Sequence, residues 1–326
     1  MSDKAVVEEV AVATTAKPSF WTRVKAHFRK WWWAHLIALV VVVLVVALPL
    51  VYVGYPNIAQ GDISDSTLSV ESMVISDPSP DRFQLNQRQV IGTDSIFHPK
   101  IYEFDAEVSL AGSPVFATVT VPSTRADDGV VVDINDQYVD LTDADAFAGF
   151  STAVMMNEEF ELNIYGRPGL KLGALPKIHV NYNKTVTMKG LNRLQGFGIE
   201  VHLDPDRDDG NNANGTVFIP NPSVLQLSMG NVTMDVSSNG TALGQSFLND
   251  LVLNPGNNTV PMVAFLNNTR LFPILGALPE GVTTIPLTIV GSSSVYNGEE
   301  IPYFTAALAA NTLNVDLDIL EVLESS

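Results

Sequence analysis

The chain contains no cysteine, and among its 326 residues there are only 18 Lys/Arg against 36 Asp/Glu, five histidines and four tryptophans. Without cysteine there is no disulfide, no thiolate metal site and no Cys nucleophile. A chain of this length can instead hold itself together by core packing. The scarce basic residues are unevenly placed. Residues 1–54 carry six Lys/Arg and three Asp/Glu, so residues 55–326 carry 18 − 6 = 12 against 36 − 3 = 33, a net charge of −21. So acidic a segment repels phosphodiester backbones and anionic head groups, which excludes nucleic acid as its partner. Motifs of catalysis are missing as well. There is no His-x-His, no Glu-x-x-His, no Gly-x-Ser-x-Gly elbow and no Gly-rich phosphate loop. His27 and His35 belong to the N-terminal segment, and His98, His179 and His202 stand singly. The expectation is a protein that is not an enzyme, with no catalytic residue, no cofactor and no metal.

What the sequence does contain begins with one apolar run. No charged residue occurs from Leu36 to Val53, and residues 34–54 are long enough as a helix to span roughly 30 Å, the thickness of a bilayer's hydrocarbon. Trp31, Trp32 and Trp33 precede it and Tyr52 and Tyr55 close it, as interfacial aromatics do. Arg23, Lys25, Arg29 and Lys30 lie before the run, whereas Asp62, Asp65 and Glu71 follow it. That asymmetry predicts a single-pass signal-anchor with a cytosolic tail (1–33), a membrane helix (34–54) and the remainder across the membrane. A cleaved signal peptide would have a shorter basic region and a small-residue cleavage site, which Gly54 to Asn57 does not offer. Residues 1–17 read as disordered. Phe20, Val24, Phe28 and Trp31 recur at helical spacing between basic residues, a basic amphipathic helix for the cytosolic leaflet.

Beyond Tyr55 the period is two. Val115, Ala117, Val119 and Val121 alternate with Phe116, Thr118 and Thr120, and Leu313, Val315, Leu317 and Ile319 alternate with Asn314, Asp316 and Asp318. Turn signals such as Asp128-Gly129, Asn239-Gly240 and Asn297-Gly298 punctuate these strands, which predicts a mostly β fold of the sandwich type. One helix interrupts over 142–155, with Thr142 as cap and Phe147, Phe150 and Val154 on one face. A short repeat sets the architecture. Leu162–Gly166 and Leu287–Gly291 share the pattern Leu-x-Ile-x-Gly at an offset of 291 − 166 = 125 residues. We therefore expect two tandem sandwiches, 62–189 and 190–322.

Six Asn-x-Ser/Thr sequons occur, at Asn183, Asn214, Asn231, Asn239, Asn257 and Asn267, all after the apolar run, as the assigned orientation requires for glycosylation. The run Asp204–Gly210 looks like a calcium loop, but Pro205 follows its first position, the glycine comes one place late, and the twelfth position is Gly215 rather than Glu. It reads as a solvated hairpin loop.

The block from Gly215 through Ile219-Pro220-Asn221-Pro222-Ser223 to Met234, continuing to Leu251–Met262, resembles the water-stress and hypersensitive-response (WHy) domain of group-two late-embryogenesis-abundant proteins. With Tyr182–Asn192 and Ser294–Gly298, it is more closely similar to a fungal family of single-pass vacuolar-type membrane proteins of uncharacterised function. The resemblance implies fibronectin-like sandwiches, apolar ligands and a vacuolar address. The expected function is a non-enzymatic, membrane-tethered binding module in the vacuolar lumen or cell exterior, for lipid or a lumenal protein. The alternatives are a scaffold reporting lumenal state across the membrane and, third, a glycan hydrolase built on two carboxylates.

Overall fold

The computed structural model describes residues 20–205, 207–279 and 281–318. The disorder expected for 1–17 and the expected end of the second sandwich at 322 lie outside them. Residues up to Tyr55 and residues from Pro56 form two separate compact units.

The first unit is helical. Helix α1 (Phe20–Pro49) kinks at Trp31, whose φ of −114° is not helical, so the basic stretch and the apolar stretch are distinct runs. Pro49 lacks the N–H that an α-helical turn would use, and the backbone widens into a π-helical turn over Leu50–Gly54. Leu39, Val45 and Leu50 expose 60%, 66% and 62% of their surface, a cost in water that lipid removes. One helix among the described residues, His27–Asp65, is long and apolar enough to cross a membrane.

The second unit begins within α2 (Tyr55–Asp65), so residues 62–65 are helical rather than the start of a sandwich. Its last turn is fastened to the strands. Gln60 Nε2 donates to Asn181 O at 2.9 Å, and Asn181 N donates back to Gln60 Oε1 at 2.8 Å. Lys184, buried on the inward face of β11 (Tyr182–Lys189), donates its ammonium to Ser64 O at 3.0 Å and to Ser66 O. Burial pushes the Lys184 pKa down, with Asp65 opposing.

The strands form two sets. In the first, one layer is β1 (Thr67–Ser76), β2 (Arg82–Gly92) and β7 (Val130–Asp140), in the order β1-β2-β7. The facing layer is β5-β4-β8-β11, from β4 (Phe104–Leu110), β5 (Val115–Val121) and β8 (Glu159–Gly166) with β11. A small side sheet joins β3 (Lys100–Ile101), β6 (Thr124–Arg125), β9 (Gly169–Lys171) and β10 (Ile178–His179). Helix α3 (Ala144–Met156) lies between β7 and β8.

The second set is β12 (Gly198–Leu203), β13 (Ala213–Asn221), β14 (Leu225–Ser238), β15 (Thr241–Leu253), β16 (Gly256–Leu266), β17 (Thr284–Tyr296), β18 (Glu299–Glu300) and β19 (Thr312–Asp318). Most of its pairing parallels the first set, except that β15 also pairs with β16, from Gly244↔Leu266 to Phe247↔Val263, and so joins its two rows into one sheet. The row β12-β13-β16 matches β1-β2-β7, the row β15-β14-β17-β19 matches β5-β4-β8-β11, and α4 (Asn268–Gly276) stands between β16 and β17 where α3 stands between β7 and β8. The repeated Leu-x-Ile-x-Gly segments fall at equivalent points: Leu162 pairs with Val186, and Leu287 with Val315. Between β17 and β19 the second set carries β18 and α5 (Pro302–Ala310), where the first set has β9 and β10 between β8 and β11; β3 and β6 have no equivalent in the second set.

The two sets share a seam. β1 and β14 pair in parallel from Met73↔Leu225 to Ile75↔Leu227, and Met73 N donates to Val224 O at 3.1 Å. Helix α5 covers α3: the Tyr303 ring meets the Phe147 ring edge-on at 4.8 Å, and Phe147 stacks on Phe83 at 5.1 Å. Burial raises the Tyr303 pKa, and its hydroxyl has no hydrogen-bond partner among the described residues. Gly291 permits the approach of α5, since a Cβ there would stand 2.5 Å from Leu308 Cβ.

Two local expectations are corrected. Helix α3 is capped by Asp143, whose side chain accepts from Ala146 N at 2.9 Å, because the Thr142 hydroxyl is turned to Val115 O. In β5 the alternation breaks at a bulge, so Phe116 and Ala117 are both buried while Val115 faces out.

Two outcomes follow from this packing. A fragment spanning 190–322 should fold with β-type circular dichroism yet melt below the full chain, because the cut exposes Leu225, Leu227 and Phe304 at the seam. Lys184→Met should cost about 1–3 kcal/mol in chemical unfolding by stranding two carbonyls, with faster amide exchange confined to α2.

Candidate functional site

Each set of strands encloses an apolar interior under a helix. The first is lined by Met73, Ile75, Phe83, Leu85, Ala106, Val119 and Ile164 among others, with Phe147 and Phe150 of α3 above. Its one polar feature is a pair of buried amides on β2, where Gln87 Nε2 donates to Gln89 Oε1 at 3.1 Å. The second is lined by Val201, Val217, Met234, Val236, Met262, Ile285 and Leu287, with Leu271 and Leu275 of α4 above and Ser246 as its only polar side chain. The unfilled volumes are about 50 Å³ and 40 Å³. An apolar cavity that holds benzene measures about 150 Å³, so neither interior admits a ligand without movement of its helix.

The two helices are held differently. Helix α3 is tied at both ends, by its Asp143 cap and by Leu191 N donating to Val154 O at 2.7 Å and Asn192 N to Asn157 O at 3.0 Å. Helix α4 is tied to strands through its start alone among the described residues: Asn267 N donates to Leu243 O at 2.7 Å and Arg270 Nη1 to Ala242 O at 3.1 Å. Pro273 withholds a further N–H. The outer face of α3 is covered by α5, whereas on α4 Phe272 remains 53% exposed.

The sequons spread over several strands. Asn183, Asn231, Asn239 and Asn257 are exposed. Asn231 uses only its Oδ1, which accepts from Asp250 N at 2.9 Å. Asn239 occupies the left-handed turn between β14 and β15. Asn214 and Asn267 are half-buried, and the Asn214 Nδ2 that a glycan would occupy donates to Asp204 Oδ2 at 3.1 Å.

In the acidic loop, Arg207 binds Asp209 through two nitrogens, at 3.1 and 2.5 Å, and approaches Asp204 at 3.8 Å. That hydrogen-bonded guanidinium, helped by Asn211 N, holds the Asp209 carboxyl well below the usual range. The loop thus carries its own counter-charge. No group of three or more His, Asp or Glu suited to a metal occurs among the described residues. His98 pairs with Asp127 at 3.0 Å, while His179 and His202 lie on the separate strands β10 and β12.

The Asn-Pro-Ser element is a turn rather than a site. Asn221 is 1% exposed; its Nδ2 donates to Leu225 O at 2.7 Å and its Oδ1 accepts from Ser223 N at 3.0 Å and Ser223 Oγ at 2.6 Å. The turn delivers Leu225 to its pairing with Met73. Ser246 and the Gln87–Gln89 pair were missed in the sequence. Ser246 shares the inward phase with Leu248, a signal hidden because register shifts flank that stretch of the β14–β15 ladder.

Residues 114–236 match a family model described as a protein of unknown function (DUF3712). The matched stretch is less than half of the chain and runs from the edge of β5 into β14, across the seam. A search of curated proteins gives no match. Solved structures with some likeness include an exo-chitosanase of Amycolatopsis orientalis (12% identity, 75% of this chain and 26% of that one, TM-score 0.22). The periplasmic chaperone SfaE follows at 12% identity, 78% and 99% coverage and TM-score 0.18. An adhesin of Mobiluncus mulieris stands at 10% identity, 78% and 98% coverage and TM-score 0.19. The chain spans about a quarter of the chitosanase's length, and likenesses this distant carry no argument about activity.

Calorimetry with calcium on the full chain should show no sub-micromolar site, because Arg207 already occupies Asp204 and Asp209; a tight site there would mean that the loop reorganises around the ion.

Proposed function

We propose that the chain is a membrane-tethered, non-catalytic binding module for an apolar molecule, its strand-rich part facing the vacuolar lumen or the cell exterior and glycosylated there. The observation that carries this reading is the pair of apolar, helix-roofed interiors, free of charged side chains, on a chain that also bears a membrane-length helix. Orientation is supported by the basic residues before the apolar run and the sequons after it. The vacuolar address, the fungal family and the kinship to WHy domains rest on the residue resemblance alone.

A second reading, a scaffold that reports lumenal state through the membrane helix, is favoured by one feature. The Gln60–Asn181 and Lys184 contacts fasten α2 firmly to β11.

Native mass spectrometry of the full chain, released from membranes in mild detergent, should find a neutral lipid retained at about one per chain, together with glycans at the exposed sequons. Retention of no lipid under conditions that keep the protein folded favours the scaffold.

A further inference from the structure

We infer that the interior of the second strand set is a binding site for a neutral, largely hydrocarbon molecule with a single hydrogen-bonding group, held at Ser246 Oγ and admitted by movement of α4. The inference rests on the apolar-ligand reading above and assigns it a place and a chemistry.

The internal repeat provides the comparison. In the first set Ala106 is flanked by Gly166 on β8 and Val119 on β5. In the second, Met234 is flanked by Gly291 on β17 and Ser246 on β15. Ser246 therefore occupies the position of Val119. Both are buried, but a valine completes an apolar wall and a serine interrupts one. Ser246 is 3% exposed, and its Oγ has no hydrogen-bond partner among the described residues. A buried hydroxyl without a partner is unfavourable and calls for an explanation. A ligand group that donates to or accepts from Oγ supplies one.

The ligand's character follows from the walls. Every other lining side chain is aliphatic or Met, so a formal charge would be left without a partner, and burying one is far more costly than burying a hydroxyl. An alcohol, a ketone or an ester carbonyl on a hydrocarbon body fits; a carboxylate or an ammonium does not.

Entry is set by α4. Leu271 and Leu275, four residues apart on one helix face, fill the mouth. Among the described residues the helix is tied to strands only through its first turn, which leaves the end beyond Pro273 able to swing. Withdrawal of those two leucines vacates the space that an alkyl body takes. The equivalent helix α3 cannot do this, pinned at both ends and covered by α5.

The test uses the full chain in lipid nanodiscs and two photoreactive probes of equal length, a diazirine-bearing decanol and the matching decane, with adducts located by mass spectrometry. Adducts on α1 alone count as lipid partitioning. We expect adducts on β15, β17 and α4, with the alcohol preferred over the alkane roughly fivefold. Ser246→Val, which installs the residue of the first set, should erase that preference while raising the melting temperature. Ser246→Ala, with no added bulk, guards against a misfolded variant and should erase the preference too. An alcohol preference that survives both substitutions overturns the inference. Adducts in the first interior instead overturn the site but leave the binding function standing. No adducts in either interior overturn both.

Discussion

The contact of Tyr303 with Phe147 ties together the two strand sets of the unit from Pro56 onward. It brings α5, an insertion of the second strand set, onto α3, the helix that roofs the first. Around it Phe83 stacks on Phe147, Phe116 and Phe150 lie tilted against Phe147, and Phe304 meets Tyr303 edge-on, a cluster of aromatic contacts beyond simple burial. That packing joins α5 of the second strand set to α3 of the first, which the parallel pairing of β1 with β14 also links. Among the described residues no such cover lies over Phe272 on the outer face of α4, which stays exposed. The asymmetry is built into an otherwise repeated architecture.

That asymmetry gives the two strand sets different properties. The helix over the first interior is covered by α5, and the polar groups there, Gln87 and Gln89, bond to each other. The second has a helix with an exposed phenylalanine outside, two leucines inside and an orphaned serine beneath. A fold in which one helix is pinned at both ends and another is tied through its start can combine rigidity with binding. Stability is not uniform across a fold, and binding elements are drawn from the less stable end.

Much of this was legible in the residues. Strand alternation, the turn dipeptides and the membrane-length run each have a direct physical cause, and the Leu-x-Ile-x-Gly echo at an offset of 125 residues does fall on equivalent strands, β8 and β17. The Phe147–Phe150–Val154 face was also readable, although its cap lay one residue later than Thr142. What could not be read was α5 covering α3, because the Pro302–Ala310 segment is apolar on nearly every face and has no helical stripe to aim it. Helix α4 was hidden by Pro273 and a short span. Ser246 escaped because the strand phase changes on both sides of it, so its burial depends on bulges that only three-dimensional pairing reveals. The sequons were plain in the sequence, but the engagement of Asn214 with Asp204 was not.

The central claim is that α4 opens and α3 does not. Native-state amide hydrogen exchange on the full chain in nanodiscs measures both helices in one experiment. The account predicts that amides of Leu271–Gly276 exchange through a local opening at least a hundredfold faster than those of Phe147–Met155, which should exchange only with global unfolding (roughly 3 kcal/mol of difference). Equal protection of the two helices would contradict it.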